Sequence, residues 1–198
     1  MYWLAFFFAF ASCLIIIPFI RKWAIGRGCV SLPRDDRWHH RPTPIFGGVG
    51  IVLAFFVGII FYISLSGKSI NLPVSGVSLA VVGLLFSIVI IFIMGLLDDV
   101  YHLKPALKLG GQFVAALVVI ASGIRTDFFT PRIDNDQLAI ILNVLLSIGW
   151  IVGITNTINL IDNMDGVAAG VSLIASLALG FLFWQSGADF SLIISLAL

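Results

Sequence analysis

Three short segments hold most of the side chains in this chain that can do chemistry. The first reads Arg34-Asp35-Asp36-Arg37-Trp38-His39-His40-Arg41-Pro42-Thr43-Pro44, followed by Gly47, Gly48 and Gly50. The second reads Asp98-Asp99-Val100-Tyr101-His102-Leu103-Lys104-Pro105, with Lys108 and Gln112 beyond it. The third runs from Asn156 through Asn159 and Asp162 to Asp165-Gly166. Adjacent Asp98 and Asp99 offer only oxygen donors, which suit Mg²⁺ or Mn²⁺. The plainer reading is a solvated acidic turn answered by His102, Lys104 and Lys108. Asn156, Asn159 and Asp162 recur every three residues and share one face if a helix continues through them. Asp165 can simply cap the next helix, although the amides before it are more than one cap needs. His39 and His40 lie beside a loop that Pro42 and Pro44 keep extended. They suit phosphate contact, proton transfer near neutral pH, or plain interfacial polarity. The glycines let backbone amides approach a phosphate or let a helix pack closely on a neighbour; packing is the favoured reading.

The elements that position these segments follow from composition. Of 198 residues, 60 % are hydrophobic and 11 % charged, against roughly a quarter charged in a soluble domain. With a mean hydropathy of +1.13, too few polar side chains remain to cover a soluble surface. A formal charge of +1 gives no basic face for nucleic acid. All ten acidic residues are Asp, and Cys13 and Cys29 have no disulfide or metal spacing, so they read as packing thiols. A bilayer core takes ~20 apolar helical residues. Six stretches qualify: 2–20, 45–65, 77–97, 105–124, 138–155 and 166–184. A seventh begins at Phe190 and reaches only Leu198, too short to cross. The expected fold is all-α: a polytopic integral membrane protein, one transmembrane domain over 1–198, with six complete transmembrane helices plus a truncated seventh.

Charge in the connecting loops sets the expected orientation. Arg21, Lys22, Arg27, Arg34, Arg37, Arg41, Lys104 and Lys108 follow spans one, three and five or border them, whereas Lys68, Arg125 and Arg132 lie on the other side. Eight against three places the amino terminus outside and the three chemical segments in the cytoplasm. Asp98 and Asp99 then end a span at the negative pole of its helix dipole, where a cation relieves their repulsion. The segment 125–137 reads as a solvated exterior connection. Trp38, Trp150 and Trp184 fall near span ends, as interfacial anchors do.

Taken together and in this order, the motifs resemble those of the polyprenyl-phosphate N-acetylhexosamine-1-phosphate transferases of the glycosyltransferase 4 type. That family includes the undecaprenyl-phosphate GlcNAc-1-phosphate and phospho-MurNAc-pentapeptide transferases. The resemblance rests on His39–Gly48, on Gly95-Leu96-Leu97-Asp98-Asp99 with Lys108-Leu109 and Gln112, and on Asn156–Gly166. It implies transfer of a sugar-1-phosphate from a UDP-sugar to a polyprenyl (undecaprenyl) phosphate in the bilayer, giving a polyprenyl-diphosphate sugar and UMP, with Mg²⁺ (or Mn²⁺) required. It implies catalytic roles for Asp98, Asp99, Asp162 and Asp165, with Asp98, Asp99 and Asp165 at the metal. It implies substrate contacts by His39, His40, Arg41, Thr43, Lys108, Asn156 and Asn159. The expected setting is a bacterial inner membrane and the biogenesis of cell wall or lipopolysaccharide, with a homodimer among the assemblies allowed. Pro42-Thr43-Pro44, where the other branch has Gly-Thr-Pro, looks closer to the GlcNAc type; the alternative donor is UDP-MurNAc-pentapeptide.

The chain departs from the family in length. Members carry roughly ten or eleven spans of ~20 residues, and their later loops supply another Asp and a His-rich motif. The stretch up to Leu198 is expected to hold about half of an active site and to be inactive alone. Two rivals are weaker. Asp162–Ala168 begins like the CDP-alcohol phosphotransferase signature, but Ala169 replaces its Arg and the next carboxylate is Asp189. A cation-transporter half would want acids near mid-span, whereas these cluster at one edge. A non-catalytic membrane subunit is the remaining alternative should the chain be naturally short.

Overall fold

The computed structural model describes residues 3–31, 43–44, 46–65, 79–162 and 166–187. They form six helices: α1 (Trp3–Gly26), α2 (Gly47–Leu65), α3 (Leu79–Tyr101), α4 (Pro105–Ala121), α5 (Asp136–Ile161) and α6 (Val167–Ser186). The only other regular structure among the described residues is an antiparallel pair of two-residue strands, β1 (Val30–Ser31) and β2 (Thr43–Pro44). Among the described residues, four helical stretches are long and apolar enough to cross a membrane: Phe6–Gly26, Leu79–Tyr101, Asp136–Ile161 and Val167–Ser186. Gly47–Phe61 and Pro105–Ala121 are apolar but shorter. This is a multi-pass membrane protein. The expected seventh span lies outside the described residues.

Side-chain placement inverts the soluble pattern. The fully buried positions include Ala24, Ala115, Ala116, Ala139 and Asn143, while Phe19, Leu145, Leu160 and Ile174 point outward. Outward apolar surface is at home in lipid, where small residues let helices approach.

The chain divides into two compact units. In the first (Met1–Ile70 with Ile161–Leu198) α1 and α2 pack against each other. Phe8 stacks on Phe61 with ring centroids 4.2 Å apart, and at the opposite end Trp23 meets Phe46 edge-on at 5.8 Å; the helices therefore run antiparallel. Gly50 makes the close approach, since a Cβ there would lie 2.9 Å from Cγ1 of Ile17. Packing thus accounts for Gly50, whereas Gly47 and Gly48 leave open space. α1 runs on through Arg21 and Lys22 to a left-handed Gly28 (φ +71°). There Cys29 N–H reaches Ala24 O and Gly28 N–H reaches Ile25 O, the paired bonds of a Schellman motif.

The second unit (Asn71–Leu160) is built on an αα-hairpin, α3 and α4, joined by residues 102–104. The two helices touch at small residues: a Cβ on Gly83 would lie 2.2 Å from that of Ser122, and one on Gly111 2.6 Å from Cγ of Met94. α4 closes with a second Schellman pair around Gly123, Ile124 N–H to Val119 O and Gly123 N–H to Ile120 O. Asn135 caps the start of α5, its Oδ1 accepting the N–H of Leu138.

Segment 125–137 is more than a solvated connection. Asn143, wholly buried in α5, accepts from Phe129 N–H at 2.9 Å and donates to Thr130 Oγ1 at 2.9 Å. Ser147 Oγ accepts from Thr126 N–H at 2.9 Å. The loop is fastened about two to three turns down the helix because two small polar side chains inside an apolar helix need partners. Two boundaries also differ from expectation. α3 continues past Leu97 to Tyr101, taking Asp98 and Asp99 into its last turn, and α5 continues past Thr155 to Ile161. The second extension moves Trp150, expected near a span end, to the middle of a helix.

Candidate functional site

The turn between α3 and α4 is where the chemistry gathers. Asp98 sits one turn from the end of α3, where the helix dipole opposes a carboxylate. Two donors compensate. Its Oδ1 accepts the N–H of Leu103 at 3.0 Å, and its Oδ2 lies 2.6 Å from Nζ of Lys108. His102, left-handed at φ +52°, turns the chain out of the helix while its N–H still bonds Asp98 O at 2.8 Å. Lys104 is extended (φ −62°, ψ 143°), as a residue before proline must be, and Pro105 opens α4. This geometry sets Lys108 on the first turns of α4, facing back to Asp98. The side chains of Lys108 and Asp98 are 33 % and 25 % exposed, so the pair is reachable rather than sealed. Asp99 is exposed beside it.

One turn along α4 from Lys108, Gln112 is buried and meets Asn156 of α5. Asn156 Nδ2 donates to Gln112 Oε1 at 2.7 Å, and Gln112 Nε2 donates to Asn156 Oδ1 at 3.3 Å. Asn156 Nδ2 also donates to Val152 O at 3.1 Å. The continuation of α5 through these residues puts Asn159, exposed, one turn beyond Asn156 on the same helix.

Of the residues singled out from sequence, Asp98, Asp99, Lys108, Asn156 and Asn159 all belong to the second unit. Direct contacts join Asp98 to Lys108, and Gln112 links Asn156 to the helix that bears Lys108. Asp162 is an exposed turn residue of the first unit. Thr43 is fixed in backbone by its pairing with Ser31. His39, His40, Arg41 and Asp165 lie outside the described residues. The residue the sequence reading passed over is Gln112, quoted in a motif but given no task. Its spacing of four from Lys108 was the available signal, placing both on one face of α4.

Among the described residues no three His, Cys, Asp or Glu side chains gather into a metal-holding group. Two adjacent carboxylates, Asp98 and Asp99, are as many as a water-retaining magnesium ion takes from a protein.

The model of glycosyl transferase family 4 matches residues 81–198, which include the α3–α4 turn and the amides of α5. A probable undecaprenyl-phosphate N-acetylglucosaminyl 1-phosphate transferase of Bacillus subtilis is 34 % identical, the match covering 98 % of this chain and 51 % of that protein. A decaprenyl-phosphate N-acetylglucosaminephosphotransferase of Mycobacterium tuberculosis is 33 % identical, over 81 % of this chain and 40 % of its own length. A phospho-N-acetylmuramoyl-pentapeptide-transferase of Shouchella clausii is 29 % identical, over 90 % of this chain and 58 % of its own. The chain thus spans about half the length of these relatives. No solved structure matches it. With more than half of its residues matched by the family model, the chain belongs to glycosyl transferase family 4.

Proposed function

We propose that the protein transfers N-acetylglucosamine-1-phosphate from UDP-N-acetylglucosamine to a polyprenyl phosphate at the cytoplasmic face of the membrane. In the net step an oxygen of the lipid phosphate bonds to the β-phosphorus of the donor. The bond from that phosphorus to the bridging oxygen breaks, and its electron pair leaves with UMP. The balance is the same whether the lipid phosphate attacks directly or after a covalent enzyme intermediate.

The observation that carries this reading is the Asp98–Lys108 pair at the turn. A diphosphate and a phosphate repel each other, so their meeting needs cations within reach of the membrane edge. Lys108 supplies one, and the amino-terminal turn of α4 adds the positive pole of its dipole. An arriving phosphate competes with Asp98 for the Lys108 ammonium, and a freed Asp98 carboxylate can orient or deprotonate the acceptor. By family resemblance Asp98, Asp99 and Asp165 are assigned to Mg²⁺ (or Mn²⁺), an ion that would neutralise phosphate charge. Asp162, His39, His40, Arg41, Thr43 and Asn159 are assigned to catalysis and to donor contacts by family resemblance. Six spans with the amino terminus outside, the arrangement the loop charges favour, put these segments where a soluble nucleotide meets a lipid. Pro42-Thr43-Pro44 and the names of the N-acetylglucosaminyl relatives support GlcNAc over MurNAc-pentapeptide.

Membranes holding the protein as its gene encodes it provide the test. Label from UDP-N-acetylglucosamine should enter the lipid extract when Mg²⁺ is present and stop when a chelator removes it. Label entering only from UDP-MurNAc-pentapeptide would change the donor, and none from either would overturn the reading.

A further inference from the structure

The orientation of the Asn156 amide is fixed by chemistry rather than by choice. Val152 O is a backbone carbonyl and can only accept, so the group facing it at 3.1 Å must be the Nδ2 amine. The second Nδ2 hydrogen goes to Gln112 Oε1 at 2.7 Å. Both donors of Asn156 are therefore consumed inside the protein, and its Oδ1 already accepts from Gln112 Nε2 at 3.3 Å. An amide so engaged has no N–H to offer a phosphate.

From this, and resting on the function proposed above, we infer that Gln112 and Asn156 are a positioning pair. They hold the Lys108 face of α4 against the polar stripe of α5 and do not bind the donor. Lys108 lies four residues before Gln112, about 6 Å along the helix axis, so a clamp at Gln112 limits how far α4 can roll or slide at the level of its cation. Gln112 is 7 % exposed, so deleting the Asn156 amide takes its partner from a buried amide. The same pair explains why an amide at position 156, in the interior of an apolar helix, is structurally tolerable.

The pair has a built-in rescue. Gln112→Asn shortens one arm by a methylene and Asn156→Gln lengthens the other, so the double variant restores the span with the amides exchanged. The experiment measures label transfer from UDP-N-acetylglucosamine to polyprenyl phosphate in membranes of the whole protein, with kcat and KM for the donor. Gln112→Leu and each single exchange should lower kcat about tenfold or more with donor KM within twofold. The double exchange should recover most of the loss. A donor KM that rises with kcat intact in Asn156→Gln would make Asn156 a donor contact and overturn the inference. So would an active wild type whose double exchange is no better than the worse single. Wild-type membranes that transfer no label overturn the proposed function and this inference together.

Discussion

Asp98 carries two separable contacts, one to the backbone of the turn and one to Lys108. Asp98→Asn keeps an oxygen for the Leu103 N–H and loses the ion pair, whereas Asp98→Ala loses both. A partly exposed pair of this kind contributes at most ~1 kcal/mol, and the turn bond about another 1 kcal/mol. Thermal unfolding in detergent should therefore show Asp98→Asn close to wild type and Asp98→Ala clearly lower, while label transfer falls in both. Lys108→Met should cost little stability but about 100-fold in transfer, the scale set by removing one charge-stabilising donor. The types of these residues were legible in the sequence, because an Asp pair and a Lys at a membrane edge are conspicuous in so apolar a chain. Gln112 was not legible as a clamp, because its partner lies 44 positions away and only the α4–α5 neighbourhood reveals it. Asn143 escaped for the same reason: its partners are backbone and hydroxyl groups of a loop that looked merely solvated.

At the level of elements, helix cores were read well and helix ends poorly. The apolar runs locate α1 to α6, but hydropathy stops counting at Asp98 and at Asn156, whereas the backbone continues for another turn or more at each. Side-chain partners at those ends, Leu103 N–H for Asp98 and Gln112 for Asn156, make the continuation possible. The α3–α4 hairpin depends on glycine where the helices touch. Gly83→Ala drives a Cβ into Ser122 and should destabilise by about 1–3 kcal/mol. Gly110→Ala meets open space and should stabilise by up to about 1 kcal/mol through helix propensity. Unfolding of the two variants side by side checks the pairing. Asn143→Leu removes the side-chain bonds to Phe129 and Thr130 and should cost about 1–3 kcal/mol, with Phe129 and Thr130 becoming more accessible to exchange or proteolysis.

For the whole molecule, composition was the strongest signal, since 60 % hydrophobic residues with 11 % charged leave a membrane as the fitting solvent. The proposed orientation rests on loop charge. A cysteine placed at His102 should react with an impermeant reagent only from the cytoplasmic side, and one at Asp127 only from the opposite side. The proposed phosphosugar transfer differs from ordinary glycosyl transfer in which bond of the donor breaks. The direct measurement follows the β-phosphate. UDP-N-acetylglucosamine labelled there is given to membranes of the whole protein with polyprenyl phosphate and Mg²⁺, and both the lipid and the released nucleotide are analysed. The account predicts that the β-label enters the lipid and that UMP is released. Sugar entering the lipid while the β-label leaves in UDP would contradict it.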